Sequence, residues 1–291
     1  MVEIKKIIII PDVHGRDFWK EPVEKYKSNP EVLIIFLGDY LDAYPFEWGD
    51  DIFYGLDTKF IDKVISEFTE IIDHARESSN IKLLLGNHDL HYFPEFKNSW
   101  GCRRYDRKFD YIGGLFQRNL DLFSVTHEVD LSGKKYLFSH AGVLMDWYNS
   151  FTDRKSFGFT ISGEPGLCYS DMMGYSEDEK KLLNISLTSE GINSLISTKE
   201  GREALAMVSR ERGGSWNSGS CMWADIYEHF RPSLEKVPWD YQVFGHTLTY
   251  PDYDESYIGE DFAMLDSRRA YVLDRKTLKI TKFSDLKPEE P

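Results

Sequence analysis

Only three cysteines occur in 291 residues, Cys102, Cys168 and Cys221, far apart and never in a CxxC pair. That scarcity argues against a disulfide framework or a structural zinc site and fits a reducing cytoplasm. Long hydrophobic runs are missing too: no stretch approaches the roughly 18 to 20 apolar residues of a membrane span. The opening MVEIKKIIIIPD places lysines before an apolar run as a signal peptide would. The run is only four isoleucines, however, and ends in Pro11 and Asp12, so it reads as a first buried strand. Basic residues are in deficit, 35 Lys plus Arg against 49 Asp plus Glu, for a net charge of -14. Such a balance disfavours non-specific nucleic-acid binding and anchoring to an anionic membrane. It also repels phosphate, so any phosphate chemistry needs a local positive centre. No internal repeat occurs, and no low-complexity segment beyond the acidic KPEEP tail.

What is present is the composition of an ordinary globular protein, 41% apolar and 29% charged. KKIIII (5–10), EVLIIFL (31–37) and IKLLL (81–85) are continuous apolar runs of strand length, the pattern of strands covered on both faces. DFWKEPVEKYKS can hold a short helix between the first two. From Asp57 or Thr58 onward, Ile61, Val64, Ile65, Phe68, Ile71, Ile72 and Ala75 recur at helical spacing. The opening is therefore expected to be βαβαβ with a largely parallel sheet. SVTHEVDLSGKKYLFS reads as two strands joined at Ser132 and Gly133, and YQVF, FAML, AYVLD and LKITKF as further short strands. The expected organisation is one α/β domain over 1–291. An insertion at about 150–220, helical from about Glu177 to Val208, would lie over a sheet edge or a site.

Five of these runs end alike: IIIIPDVHG, LIIFLGDYLD, KLLLGNHD, YLFSHAG and YQVFGHT. Each breaks at Pro, Gly or Ser and at once presents Asp, Asn or His. Singly, Asp12 or Asp39 reads as a turn or cap residue, and His140 or His246 as a hydrogen-bonded core histidine. Five such endings in one chain are not explained by capping. In open α/β sheets the carboxyl ends of strands converge on one crevice, where Asp12, His14, Asp39, Asn87, His140 and His246 could meet. Three imidazoles, two carboxylates and an amide suit Mn, Fe or Zn better than the all-oxygen cages of Ca or Mg, and six ligands suggest two ions.

In order, DVHG, GDYLD, GNHD, SHAG and GHT resemble the signature of the calcineurin-like metallophosphoesterases. The resemblance implies an αββα sandwich of two mixed sheets flanked by helices, with a dinuclear metal centre that hydrolyses phosphate esters. It implies that Asp12, His14 and Asp39 hold one ion, and that Asp39 bridges to a second ion completed by Asn87, His140 and His246. Many members carry a second histidine two residues after the GH, where this chain has Leu248. That departure leaves the first ion open to water and resembles the protein serine/threonine phosphatase branch, as does CRRYDRKFDYI after GNHD. The arginine this branch usually carries after GDxxD is replaced by Ala43.

Two ions sharing a water would generate a bridging hydroxide to attack phosphorus. His88, directly after Asn87, is the expected general acid, and the resemblance points to Asp42 as the carboxylate fixing its tautomer. Arg212, on the glycine-rich SRERGGSWNSG, is the candidate for gripping phosphate in place of the missing arginine. The expected cofactors are two divalent or trivalent ions, manganese first, with iron or zinc as alternatives. The expected partner is a phosphorylated substrate, either a phosphoprotein or a small phosphoester or nucleotide. The first reading is a phosphomonoesterase resembling serine/threonine protein phosphatases. Its alternatives are a dinucleoside polyphosphate hydrolase or phosphodiesterase and, from another class, a non-catalytic binding scaffold. Arg103 and Arg104 read as solvated, and the aromatic stretch at 44–54 either walls the pocket or packs on the surface. His74, His91, His127 and His229 lack strand-end context.

Overall fold

The computed structural model describes residues 2–44, 58–93, 105–152, 183–231, 233, 235–248 and 255–286. Two sheets are built from β1 (Lys6–Ile10), β2 (Val32–Phe36), β3 (Ile81–Leu84), β4 (Phe123–Ser124), β5 (Thr126–Leu131), β6 (Lys134–Ser139), β7 (Tyr241–Phe244), β8 (Tyr257–Ile258), β9 (Phe262–Met264), β10 (Tyr271–Asp274) and β11 (Ile280–Lys282). The first sheet runs β11-β10-β1-β2-β3-β4 and the second β5-β6-β7-β9-β8. β1 to β4 are parallel, as the opening pattern predicts, and β10 and β11 extend that sheet antiparallel. In the second sheet β6, β7 and β9 are parallel.

The helices are α1 (Lys20–Tyr26), α2 (Thr58–Glu77), α3 (Asn87–Leu90), α4 (Phe109–Arg118), α5 (Met145–Thr152), α6 (Ser189–Ser194), α7 (Lys199–Leu205) and α8 (Ile226–His229). The isoleucine run of β1 is continuous because both its faces are covered. Ile7 and Ile9 pack with Phe138, Val243 and Leu265 between the sheets, while Ile8 and Ile10 join Ile61, Val64 and Phe68 of α2. Each fully buried Ile contributes about 1.5–3 kcal/mol. These are two mixed sheets flanked by helices, the expected sandwich.

Two details differ from the sequence pattern. The stretch read as one strand from Ser124 divides at Val125, with β4 pairing in the first sheet and β5 in the second. Alternation cannot reveal such a crossing, because each half keeps its own strand periodicity. The helical middle of the 150–220 region resolves into α6 and α7, capped by Thr188 and Thr198, with 153–182 outside the described residues. Asn193 of α6 accepts Val125 N–H and Thr126 N–H, both at 2.8 Å, which sets this segment against the edge strand β5. The Ser132–Gly133 hairpin turn forms as read, with both residues at positive φ.

Candidate metal centre

The five loops leave the carboxyl ends of β1, β2, β3, β6 and β7, and the six candidate ligands meet there, all buried. Nδ1 of His14 lies 2.7 Å from the Leu41 carbonyl, and Nδ1 of His140 lies 2.9 Å from the Leu37 carbonyl. A ring nitrogen against a carbonyl is the protonated one, so each Nε2 keeps its lone pair for a ligand. Asp39 Oδ2 stands between them, 3.5 Å from His14 Nε2 and 3.4 Å from His140 Nε2. His140 Nε2 is also 2.9 Å from Asn87 Oδ1 and 3.0 Å from His246 Nδ1. Asp12 accepts His246 N–H at 2.9 Å on Oδ1, and its Oδ2 is 4.0 Å from His140 Nε2.

These residues fit a metal. Asn87 Oδ1 and His140 Nε2 are both acceptors once the ring proton sits on Nδ1, and a cation reconciles them. Nε2 of His246 is buried without a hydrogen-bond partner among the described residues. Burial lowers the pKa of His140, and burial with the Arg212 guanidinium pushes His246 well down, so both rings are neutral, the ligating form. Burial, then Asp12 and Asp89, raise Asp39 well above the usual carboxylate range. A cluster that resists its own negative charge is one a cation stabilises. Two groupings present ligand atoms within 4.8 Å of one another, His14 with Asp39 and His88, and Asp39 with His140 and His246; Asp39 is common to both.

The local backbone explains why the sequence is so constrained here. His14, Asp39, Asp42 and His246 all take positive φ, between 46° and 69°, a conformation costing about 1–3 kcal/mol each outside glycine. Asp89 accepts Gly86 N–H at 2.8 Å. It also takes Asp39 N–H at 2.8 Å and Tyr40 N–H at 3.1 Å, tying the β2 and β3 loops together. A Cβ on Gly86 would collide with Asp39 Oδ1, so the two loops approach only because position 86 has no side chain.

Beside the cluster, His88 donates its backbone N–H to Asp39 Oδ1 at 2.9 Å, and its Nδ1 lies 3.1 Å from Asp42 Oδ2. Asp42 Oδ1 accepts the Tyr92 hydroxyl at 2.6 Å, the Tyr92 oxygen accepts Tyr105 N–H at 3.3 Å, and the Tyr105 hydroxyl accepts Ala43 N–H at 3.1 Å. Tyr92 and Tyr105 were not legible as site residues, because their apolar spacing is that of core aromatics.

Arg212 closes a 3-10 turn before Gly213. Its Nε is 2.9 Å from Asp225 Oδ2, and its Nη2 donates to Thr247 Oγ1 at 2.7 Å and to the His246 carbonyl at 3.1 Å. A cavity of about 210 Å³ opens over Asp39, Asn87, His88 and His246, walled by Tyr44, Val208, Arg212 and Trp223. Tyr44 is the described end of the aromatic stretch; residues 45–54, Arg103 and Arg104 lie outside the described residues. Asp225 and Trp223 carried no sequence signal, since their partners are distant in the chain. Among the described residues no helix is long and apolar enough to cross a membrane.

The family profile described as calcineurin-like phosphoesterase matches residues 5–250. No curated protein matches the sequence significantly. Among solved structures, the chain is similar to a protein serine/threonine phosphatase from Saccharomyces cerevisiae, with 13% identity over 99% of this chain and 85% of that one and a TM-score of 0.37. It is also similar to a protein from Pyrococcus horikoshii OT3, with 11% identity over 97% and 87% and a TM-score of 0.43. A metallophosphoesterase from Sphaerobacter thermophilus gives 11% identity over 95% and 87% and a TM-score of 0.38.

Proposed function

The chain belongs to the calcineurin-like phosphoesterases, metal-dependent hydrolases of phosphoesters, and on that footing we propose that it cleaves phosphomonoesters with two divalent ions, manganese first among them. The substrate is a phosphoprotein or a small phosphorylated molecule. The observation that carries the reading is Asp39 Oδ2, set 3.5 Å from His14 Nε2 and 3.4 Å from His140 Nε2. In this arrangement Asp12, His14 and Asp39 hold one ion, and Asp39, Asn87, His140 and His246 hold the other. Bound there, the ions would supply a shared water acidified toward neutral pH as the nucleophile and neutralise charge on the phosphoryl oxygens.

The protein's own groups do the rest. Arg212 is held at Nε and Nη2, leaving Nη1 without a partner among the described residues. That amino group orients a phosphoryl oxygen against the wall of the cavity. Asp42 accepts a hydrogen bond from His88 Nδ1–H and favours the imidazolium, whose Nε2–H is the proton given to the departing oxygen, leaving the neutral Nδ1–H ring. Trp223 and Val208 limit water at the leaving group. The positive charge of Arg212 and the ions overcomes the repulsion set by the net charge of -14.

The test compares Mn-loaded protein on phenyl phosphate, an aryl phosphodiester, a phosphopeptide and a dinucleoside tetraphosphate. Faster turnover of either monoester than of the diester or the tetraphosphate is expected. Turnover of the tetraphosphate alone rejects the reading in favour of a dinucleoside polyphosphate hydrolase. No turnover with metals shown to be bound rejects it in favour of a scaffold.

A further inference from the structure

We propose that Asp266 supports the ion at Asp12 and His14 from outside its ligands, through a water. The proposal rests on the metal-centre reading above and adds a residue to it.

The position of Asp266 follows from strand register. β9 runs parallel to β7 with Met264 opposite Phe244, and Leu265 donates its N–H to the Phe244 carbonyl at 2.8 Å. Two residues beyond this pair stand His246 on one strand and Asp266 on the other. Asp266 therefore takes, on β9, the strand-end place that His246 takes on β7. Asp12 meets the same point, accepting His246 N–H at 2.9 Å and lying against Gly245. FAMLD is a further apolar run that passes directly into a carboxylate, and Arg268, two residues on, has the positive φ found at His14, Asp39 and His246.

The chemistry of this side chain is unresolved by the protein alone. Asp266 is 1% exposed, and neither carboxylate oxygen has a hydrogen-bond partner among the described residues. Burial first, and then Asp12, push its carboxyl well above the usual carboxylate range, while Arg16, Arg212 and Arg268 pull the other way. An ionised carboxylate so placed is strongly unfavourable unless a donor or cation reaches it. Asp266 acts at one remove, accepting a hydrogen bond from a water polarised by the ion, because Asp12 already meets this strand end directly, accepting His246 N–H at 2.9 Å. Carboxylates behind a metal's direct ligands typically contribute 10–100-fold in affinity.

The experiment is a Mn²⁺ titration of metal-free protein, with free ion read by electron paramagnetic resonance. Wild type is expected to bind two ions, and Asp266→Asn to bind one of them about 10–100-fold more weakly, with the thermal midpoint of its metal-free form undiminished. Two ions bound with equal affinities in both proteins overturn this proposal alone. A lowered metal-free midpoint with unchanged affinities also overturns it, by making Asp266 merely structural. A wild type that binds no Mn²⁺ overturns the metal-centre reading and this proposal with it. A crystal structure of Mn-loaded wild type needs no variant: water between Asp266 and the ion at Asp12 is expected, and a carboxylate without it overturns the assignment.

Discussion

Asp42 holds Nδ1 of His88 at 3.1 Å while its other oxygen takes the hydroxyl of Tyr92. If His88 protonates the leaving oxygen, His88→Asn should lose about 10²- to 10⁴-fold in kcat on alkyl phosphates. Esters whose leaving group needs no proton should lose far less. A plot of log kcat against leaving-group pKa checks this. The variant's slope should be steeper, and parallel slopes remove His88 from the proton transfer.

Tyr92→Phe takes one donor from a fully buried carboxylate and adds nothing in its place. An unmet buried acceptor costs about 1–3 kcal/mol. We expect lower stability in urea unfolding and a reduced kcat with KM little changed, since Tyr92 acts through Asp42 and not on substrate. A change confined to KM contradicts this.

Arg212 is locked by Asp225, Thr247 and the His246 carbonyl. Arg212→Lys keeps the charge but loses the fork, and should raise KM and the inhibition constant of inorganic phosphate by about tenfold, equivalent to about 1.4 kcal/mol. Asp225→Asn should shift both in the same direction by less. Phosphate inhibition unchanged in both variants places phosphate elsewhere.

Burial pushes the imidazole of His229 down to about 4, although the Ala141 carbonyl it donates to at 2.9 Å and nearby Asp225 pull the other way. The unfolded chain takes that proton near pH 6.5. Between these values the unfolded state binds more protons, so stability falls as pH falls. The contribution is whole above pH 6.5 and is lost as pH drops through about 4, amounting to about 3 kcal/mol. Unfolding free energy measured from pH 7 to 4 should decline less steeply in His229→Gln, and equal slopes contradict the assignment.

Much of this was legible because the informative residues sit where a pattern breaks. Asp12, Asp39, Asn87, His140 and His246 each follow an apolar run, and parallel strands bring their ends together without any further signal. Tyr92 and Tyr105 follow no such break; their hydroxyls matter only because Asp42 and Ala43 lie across the loop, a relation made by folding. Asp225 reaches Arg212 by the same kind of contact. Asp266 did follow an apolar run, but β9 is only three residues long, and so short a run does not distinguish a site carboxylate from a turn.

On the proposed reading Asp39 serves two ions at once. Metal content and phenyl phosphate turnover of Mn-reconstituted wild type and Asp39→Asn, measured on the same samples, test it most directly. Two ions per wild-type chain, fewer in the variant, and a fall in kcat of at least about 10²-fold, roughly 2.7 kcal/mol of barrier, are expected. A single ion in wild type, or full turnover in Asp39→Asn, contradicts it.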